Sequence, residues 1–142
     1  MTLQLARMPE EIVRCLPVLR ELRPLLTDAD EFVIAVQVQQ SEGFQLAWLE
    51  DDAGEVVTVA GFRVQHMLAS GLTLYVDDLV TAAAQRSRGH GKAMLDAPIG
   101  YARERGCQNF SLDSGTHRQE AHAFYFREGM RVTSFHFALP LQ

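Results

Sequence analysis

The repeat of the apolar residues changes at Gly43, and neither an all-helical nor an all-strand chain survives that change. Before it, "PEEIVRCLPVLRELRPLL" places Ile12, Cys15, Leu16, Leu19, Leu22 and Leu26 at helical spacing. Pro9 suits the opening of this helix, whereas Pro17 and Pro24 predict a bend or a division. "TDADEFVIAVQVQQSEG" predicts a second helix, with Thr27 or Asp28 as cap and Gly43 as stop. Beyond Gly43, "FQLAWLED" and "GEVVTVAGFRVQHM" alternate or run apolar around "DDAG", the pattern of an antiparallel hairpin. "LTLYVDDLVT" predicts a further strand, entered through Ser70-Gly71.

The helical repeat returns from Gly89 to Gly106, with Met94, Leu95, Ile99 and Ala102 inward and Pro98 weakening the middle turn. "CQNFSLD" then reads as a strand and "THRQEAHAFYFREG" as a helix, Thr116 and Gln119 having capping-box spacing and Gly129 standing at C′. "TLQLARM" predicts a first strand and "MRVTSFHFAL" a last one. The order β-α-α-β-β-β-α-β-α-β gives an α/β (α+β) chain with a mixed sheet flanked by helices.

The 142 residues show no repeat, low-complexity segment or linker, so a single domain over 1–142 is expected. A net charge of -5 disfavours nucleic acid as a partner. No apolar run reaches the roughly 18 residues of a membrane span, and "MTLQLARMPEE" lacks a signal peptide's apolar core. Cys15 and Cys107 form no CxxC pair and read as buried free thiols, which suits a reducing cytoplasm.

In this acidic chain, "AAAQRSRGHGKAM" gathers Arg86, Arg88 and Lys92 around Gly89 and Gly91, between a strand and a helix. Glycines let a ligand approach the backbone, and the first-turn amides of a helix lack intrahelical acceptors. A phosphate or pyrophosphate fits such a place. The Walker pattern fails, with Arg86 at its first glycine and Ala93 at its Ser/Thr, and G-x-G-x-x-G ends on Met94. Taken alone, Gly-x-Gly also reads as a solvated turn before an ordinary helix.

Arg86-x-x-Gly89-x-Gly91, preceded by "DDLVTAAAQ", resembles the acyl-CoA signature [RQ]-x-x-G-x-[GA] of the GNAT acyltransferase superfamily. "AHAFYFREGMRV" resembles that superfamily's later motif, A-x-x-[FL]-Y-x-x-x-G-[FM], in the family's order and separation. The resemblance covers the element order of the whole chain. It implies a mostly antiparallel sheet of six or seven strands with four helices, splayed between the strand at 72–81 and that at 108–113. It further implies acetyl-CoA as donor, its pyrophosphate on Arg86, Ser87, Arg88, Gly89, His90, Gly91 and Lys92. The pantetheine arm and thioester carbonyl would meet the backbone of Leu79, Val80 and Thr81, an oxyanion-type stabilisation that needs no particular side chain.

By the same resemblance Tyr125 matches a tyrosine that protonates the departing thiolate, a role open to a phenol at neutral pH. Tyr125 also reads as one of three core aromatics with Phe124 and Phe126, although the flanking motif favours the acid role. Many relatives carry Asn seven residues earlier, where this chain has Arg118, a residue suited to a coenzyme phosphate or to solvent. "LYVDDLVT" resembles the "VEDL"-like strand of polyamine-type members, whose base matches Asp77. Strand alternation sends Asp77 and Asp78 to opposite faces, so at most one enters the cleft. An aspartate in water is a weak base, so catalysis would require burial or a water relay; both residues also suit backbone hydrogen bonding.

Asp113 and Ser114 belong either to the cleft or to a turn. His117 and His122 are five apart and share no helix face, and no HExxH occurs, so no metal is expected. Two functions follow. One is direct acetyl transfer to a primary amine of a small molecule or peptide in a ternary complex, no placed Cys or Ser suggesting an acyl-enzyme. The other is a non-catalytic acyl-CoA sensor or interaction module. Family resemblance alone adds a homodimer.

Overall fold

Five strands form one sheet in the order β1-β2-β3-β4-β5. In the computed structural model, which describes residues 1–142, β1 is Gln4–Leu5, followed by α1 (Pro9–Leu22) and α2 (Ala29–Ser41). β2 (Phe44–Glu50), β3 (Val56–Met67) and β4 (Gly71–Thr81) then run as an antiparallel meander. A 3₁₀ turn at Ala83–Gln85 leads to α3 (His90–Glu104), β5 (Asn109–Leu112) and α4 (Gln119–Arg127). The chain divides into two compact units, Met1–Ser111 and Leu112–Gln142.

Within the first unit, the helices cover the sheet as its alternation dictates. Phe44, Leu46 and Trp48 of β2, Val59 of β3 and Val80 of β4 share one core with Ile12, Cys15, Leu16 and Leu19 of α1 and Phe32 and Val36 of α2. The alternate residues of β3 point the other way, where Phe62 meets Tyr101 of α3 edge to face with centroids 5.2 Å apart. Asp28 caps α2 by accepting from the Glu31 amide at 2.9 Å. The Glu11 carboxylate accepts from the Met8 and Arg7 amides at 2.8 and 3.1 Å, which holds its pKa below the usual value. Gly106 has φ 73 after α3, and the Cys107 amide donates back to Ala102 at 2.9 Å, closing the helix.

Pro17 neither bends α1 into two helices nor ends it, since α1 runs unbroken through it. A mid-helix proline costs about 3 kcal/mol. Five side chains of α1 are buried, Ile12, Cys15, Leu16, Val18 and Leu19. A fully buried aliphatic side chain gains roughly 1.5–3 kcal/mol, so the stripe outweighs the missing bond. Pro98 is carried inside α3 in the same way and is itself buried.

Three expectations about the elements need correction. "TLQLARM" pairs only at Gln4 and Leu5. The strand count is five rather than six or seven, because "MRVTSFHFAL" contains no strand and residues 131–142 are exposed throughout. Alternation supplies a strand's side-chain pattern, but a strand also needs a neighbour's backbone ladder. In the second unit, α4 starts at Gln119 behind Arg118, with no side-chain cap, instead of at Thr116. The preceding turn has its own bonds, the Arg118 amide donating to the Gly115 carbonyl at 3.0 Å. The expected end is present: Gly129 has φ 86, its amide donates to Phe126 at 3.1 Å and that of Met130 to Tyr125 at 3.0 Å.

Candidate active site

The basic loop starts where β4 ends. After the 3₁₀ turn, Arg86, Ser87, Arg88 and Gly89 are exposed, and Ser87 and Gly89 take left-handed φ values of 65 and 82. Gly89 is the N-cap of α3, and the first helical bond runs from the Ala93 amide to the Gly89 carbonyl at 3.1 Å. The amides of His90, Gly91 and Lys92 precede that bond, and the helix itself offers them no acceptor. A Cβ built on Gly89 would meet nothing within 4 Å. The mouth of the helix is thus open at this point, with positive dipole, bare backbone and cationic side chains together. Lys92 also reaches Asp96 one turn on, at 3.1 Å. These features fit a diphosphate.

β4 leads into this loop with one edge taken by β3. The Ala82 amide donates to Val57 on the β3 side at 2.8 Å. By strand alternation the main-chain groups of Leu79 and Thr81 point away from β3, and those of Val80 toward it. β5 is the neighbour on the far side, where the Gln108 amide donates to Leu72 at the start of β4, at 2.7 Å.

A β-bulge reverses the expectation for the two aspartates. Gly61 pairs with Asp78 but Phe62 pairs with Val76, so Asp77 is an inserted residue. The insertion breaks the alternation, and both carboxylates lie on the α1/α2 face of the sheet. Asp77 accepts from Arg63 Nε at 3.1 and 3.0 Å and from its Nη2 at 2.9 Å. Arg63 Nη2 also donates to Gln39 Oε1 of α2 at 3.2 Å, and its guanidinium lies 5.4 Å from the Phe44 ring centroid. The bond to Asp77 raises the Arg63 pKa above its usual value, against the effect of burial. Asp78 has a different partner: Arg23 Nε, just beyond α1, donates to it at 2.7 Å. The side chains of this second pair are 55% and 17% exposed, against 24% and 21% for Arg63 and Asp77. Arg23 Nη2 also reaches Asp78 Oδ1, at 2.5 Å, so both contacts use one carboxylate oxygen, whereas Arg63 forks onto both oxygens of Asp77. With its arginine half exposed, the Arg23 pair is nearer the roughly 0–1 kcal/mol of a surface pair.

The remaining candidates belong to the second unit. Tyr125 stands on α4, its ring tilted against Phe124 with centroids 5.5 Å apart. Burial raises its pKa above the usual value, with the Arg118 charge acting in the opposite direction, so the phenol keeps its proton at neutral pH. Ser114 Oγ is buried without a hydrogen-bond partner. Asp113 Oδ2 lies 3.5 Å from His136 Nδ1, and His122 Nε2 lies 2.8 Å from the Gly115 carbonyl. No three His, Cys, Asp or Glu side chains gather as a metal-binding group.

The structure therefore brings residues 77–92 together in the first unit, and Arg118 and Tyr125 in the second. Sequence reading missed Arg23 and Arg63, which hold the strand carboxylates, and Gln39, which accepts from Arg63. It also missed Glu21, whose Oε1 accepts from the Ala83 amide at 2.8 Å and ties α1 to the start of the loop. Arg63 carried one legible signal, a charge inside the apolar run "VVTVAGFRV".

The chain matches the family described as acetyltransferase (GNAT) over residues 6–130. The uncharacterized N-acetyltransferase YhdJ of Bacillus subtilis (strain 168) is 32% identical over 134 residues, covering 93% of each chain. An acetyltransferase of Trypanosoma brucei has a similar structure, with a TM-score of 0.79 and 21% identity over 98% of both chains. AAC(6')-Iy, solved with the bisubstrate analog CoA-S-monomethyl-acetylneamine, has a TM-score of 0.81 and 14% identity, covering 100% of this chain and 99% of its own. No helix is long and apolar enough to cross a membrane.

Proposed function

The chain belongs to the acetyltransferase (GNAT) family and is an N-acetyltransferase by that membership, and from this premise we propose direct acetyl transfer from acetyl-CoA to a primary amine. The observation that carries the reading is the open, left-handed Gly89 cap of α3, which sits between exposed Arg86, Arg88 and Lys92. The amides of Arg88 to Lys92 receive the pyrophosphate, with Ser87 shaping the turn and His90 contributing backbone alone. Leu79 and Thr81 supply main-chain donors and acceptors to the pantetheine arm and thioester carbonyl, and Val80 holds the strand on β3. Arg118 replaces the asparagine of many relatives as a cofactor contact. All of this belongs to one acyltransferase domain over 1–142.

In the reaction the amine nitrogen bonds to the thioester carbon, and the carbon–sulfur bond breaks. Two protons leave the ammonium nitrogen. One passes through water to Asp78 and on to solvent; the other balances the proton that Tyr125 gives to the sulfur. Asp77, forked onto Arg63, holds the bulge that turns Asp78 to the same face. The reading includes a cytoplasmic homodimer that works without metal, which sedimentation at low concentration and activity in chelator would test.

The direct test is a melting shift with acetyl-CoA, then thiol release across an amine panel. A shift with amine-dependent thiol release is expected. A shift without release on any amine would replace catalysis by the sensor reading. Tyr125→Phe should lower kcat by about a hundredfold with acetyl-CoA affinity retained, the usual scale for a lost general acid. Equal rates would remove the acid role.

A further inference from the structure

As Arg14 does to Glu50 of β2, Arg23 bonds to a carboxylate of β4 from a half-exposed position. It stands at the end of α1 with its guanidinium half in solvent, and it reaches Asp78 across 55 residues of sequence at 2.7 Å. Arg63, by contrast, is braced by Asp77, Gln39 and the Phe44 ring. The end of α1 is also set by Glu21, which accepts from the Ala83 amide at 2.8 Å. Asp78 and Ala83 flank Leu79–Thr81, so Arg23 and Glu21 bond to either end of the stretch of β4 assigned to the reacting carbonyl.

We infer that Arg23 masks Asp78 in the free protein, and that the ammonium of the acceptor binds by displacing the guanidinium into solvent. This rests on the role given to Asp78 above. Arg23 is then a specificity-determining residue. Exchange of one cation for another keeps the charge balance of the site, while a neutral or anionic acceptor leaves Arg23 in place. No bond to carbon changes in this step, and no proton moves. The Arg23 side of the pair is 55% exposed, so water can take over its donors as it leaves, and the apparent affinity for the amine falls by the fraction of molecules in which Arg23 is seated.

The probes are spermidine and a short peptide amide with a free amino terminus, titrated calorimetrically into the CoA-loaded protein. Arg23→Gln should bind at least one of them three- to fivefold more tightly than wild type, and Arg23→Lys close to wild type. Asp78→Asn should weaken binding at least tenfold. In the wild-type protein the Arg23 Nε–H resonance should move toward its solvent position as the amine is added, a readout that needs no variant to fold. Unchanged or weaker binding in Arg23→Gln overturns the inference, as does an Arg23 signal that does not respond or an absence of amine binding in both proteins. Thiol release separates the two proposals. Turnover with an unaltered Arg23→Gln sinks the mask alone, whereas tighter amine binding without turnover keeps the mask and sinks the catalytic reading.

Discussion

At Gly89 the backbone takes φ 82, and nothing stands within 4 Å of where a side chain would start. An L-residue in that region costs about 1–2 kcal/mol. Gly89→Glu therefore adds strain, and it also places a carboxylate in front of the first-turn amides. Acetyl-CoA affinity should fall at least tenfold in a titration, with the melting temperature only modestly lower. Unchanged affinity would mean that the loop does not hold the donor. At this scale the sequence is informative where chemistry is local: Asp28 caps α2 and Gly129 closes α4, each through bonds to residues a few positions away. The partners of Asp77 and Asp78 were not legible, because Arg63 and Arg23 lie 14 and 55 residues distant and only the fold brings them in.

Among the elements, the bulge in β4 decides how the site is built. It faces Gly61 on β3, where a Cβ would run into the ring of Phe44. Phe44 in turn lies under Arg63. Gly61→Ala should therefore overpack the strand pair and lower stability by about 1–3 kcal/mol in chemical denaturation. A neutral result would show that the Phe44 ring has room to move. An insertion of this kind is hidden in sequence, since Asp77 and Asp78 look like ordinary alternating positions. Pro17 shows the opposite failure. Its local preference is plain, and the burial of the α1 stripe overrides it. The stretch 130–139 alternates well and still forms no strand, because pairing belongs to the partner's backbone and not to the segment.

For the molecule as a whole, the buried thiol of Cys15 reports on folding. Burial pushes its pKa up to about 12 from the ordinary 9.0. The sign follows from proton counts: above pH 9 the unfolded thiol ionises while the folded one keeps its proton, so the unfolded state is favoured as pH rises. Stability from this group is full below pH 9 and falls by up to roughly 4 kcal/mol as pH approaches 12. Tyr125, also raised by burial, adds loss of the same sign above about pH 10. Denaturation midpoints between pH 8 and 11 should fall accordingly, and Cys15→Ala should flatten the alkaline limb. An identical limb in the variant would place the loss elsewhere. Element types up to α4 were legible from the change of apolar repeat at Gly43 and its return after the loop, whereas the last stretch reads as a strand and is none. The number of strands was not legible, because it depends on tertiary pairing.

Two long-range bonds leave the end of α1, Glu21 of its last turn accepting from the Ala83 amide and Arg23 just beyond it donating to Asp78. In the free protein, Leu79, Val80 and Thr81 are thereby bracketed front and back from the end of α1. On the proposed reading, the Glu21 bond remains when the acceptor displaces Arg23, so the main-chain dipoles of Leu79 and Thr81 would still be held from one side during turnover.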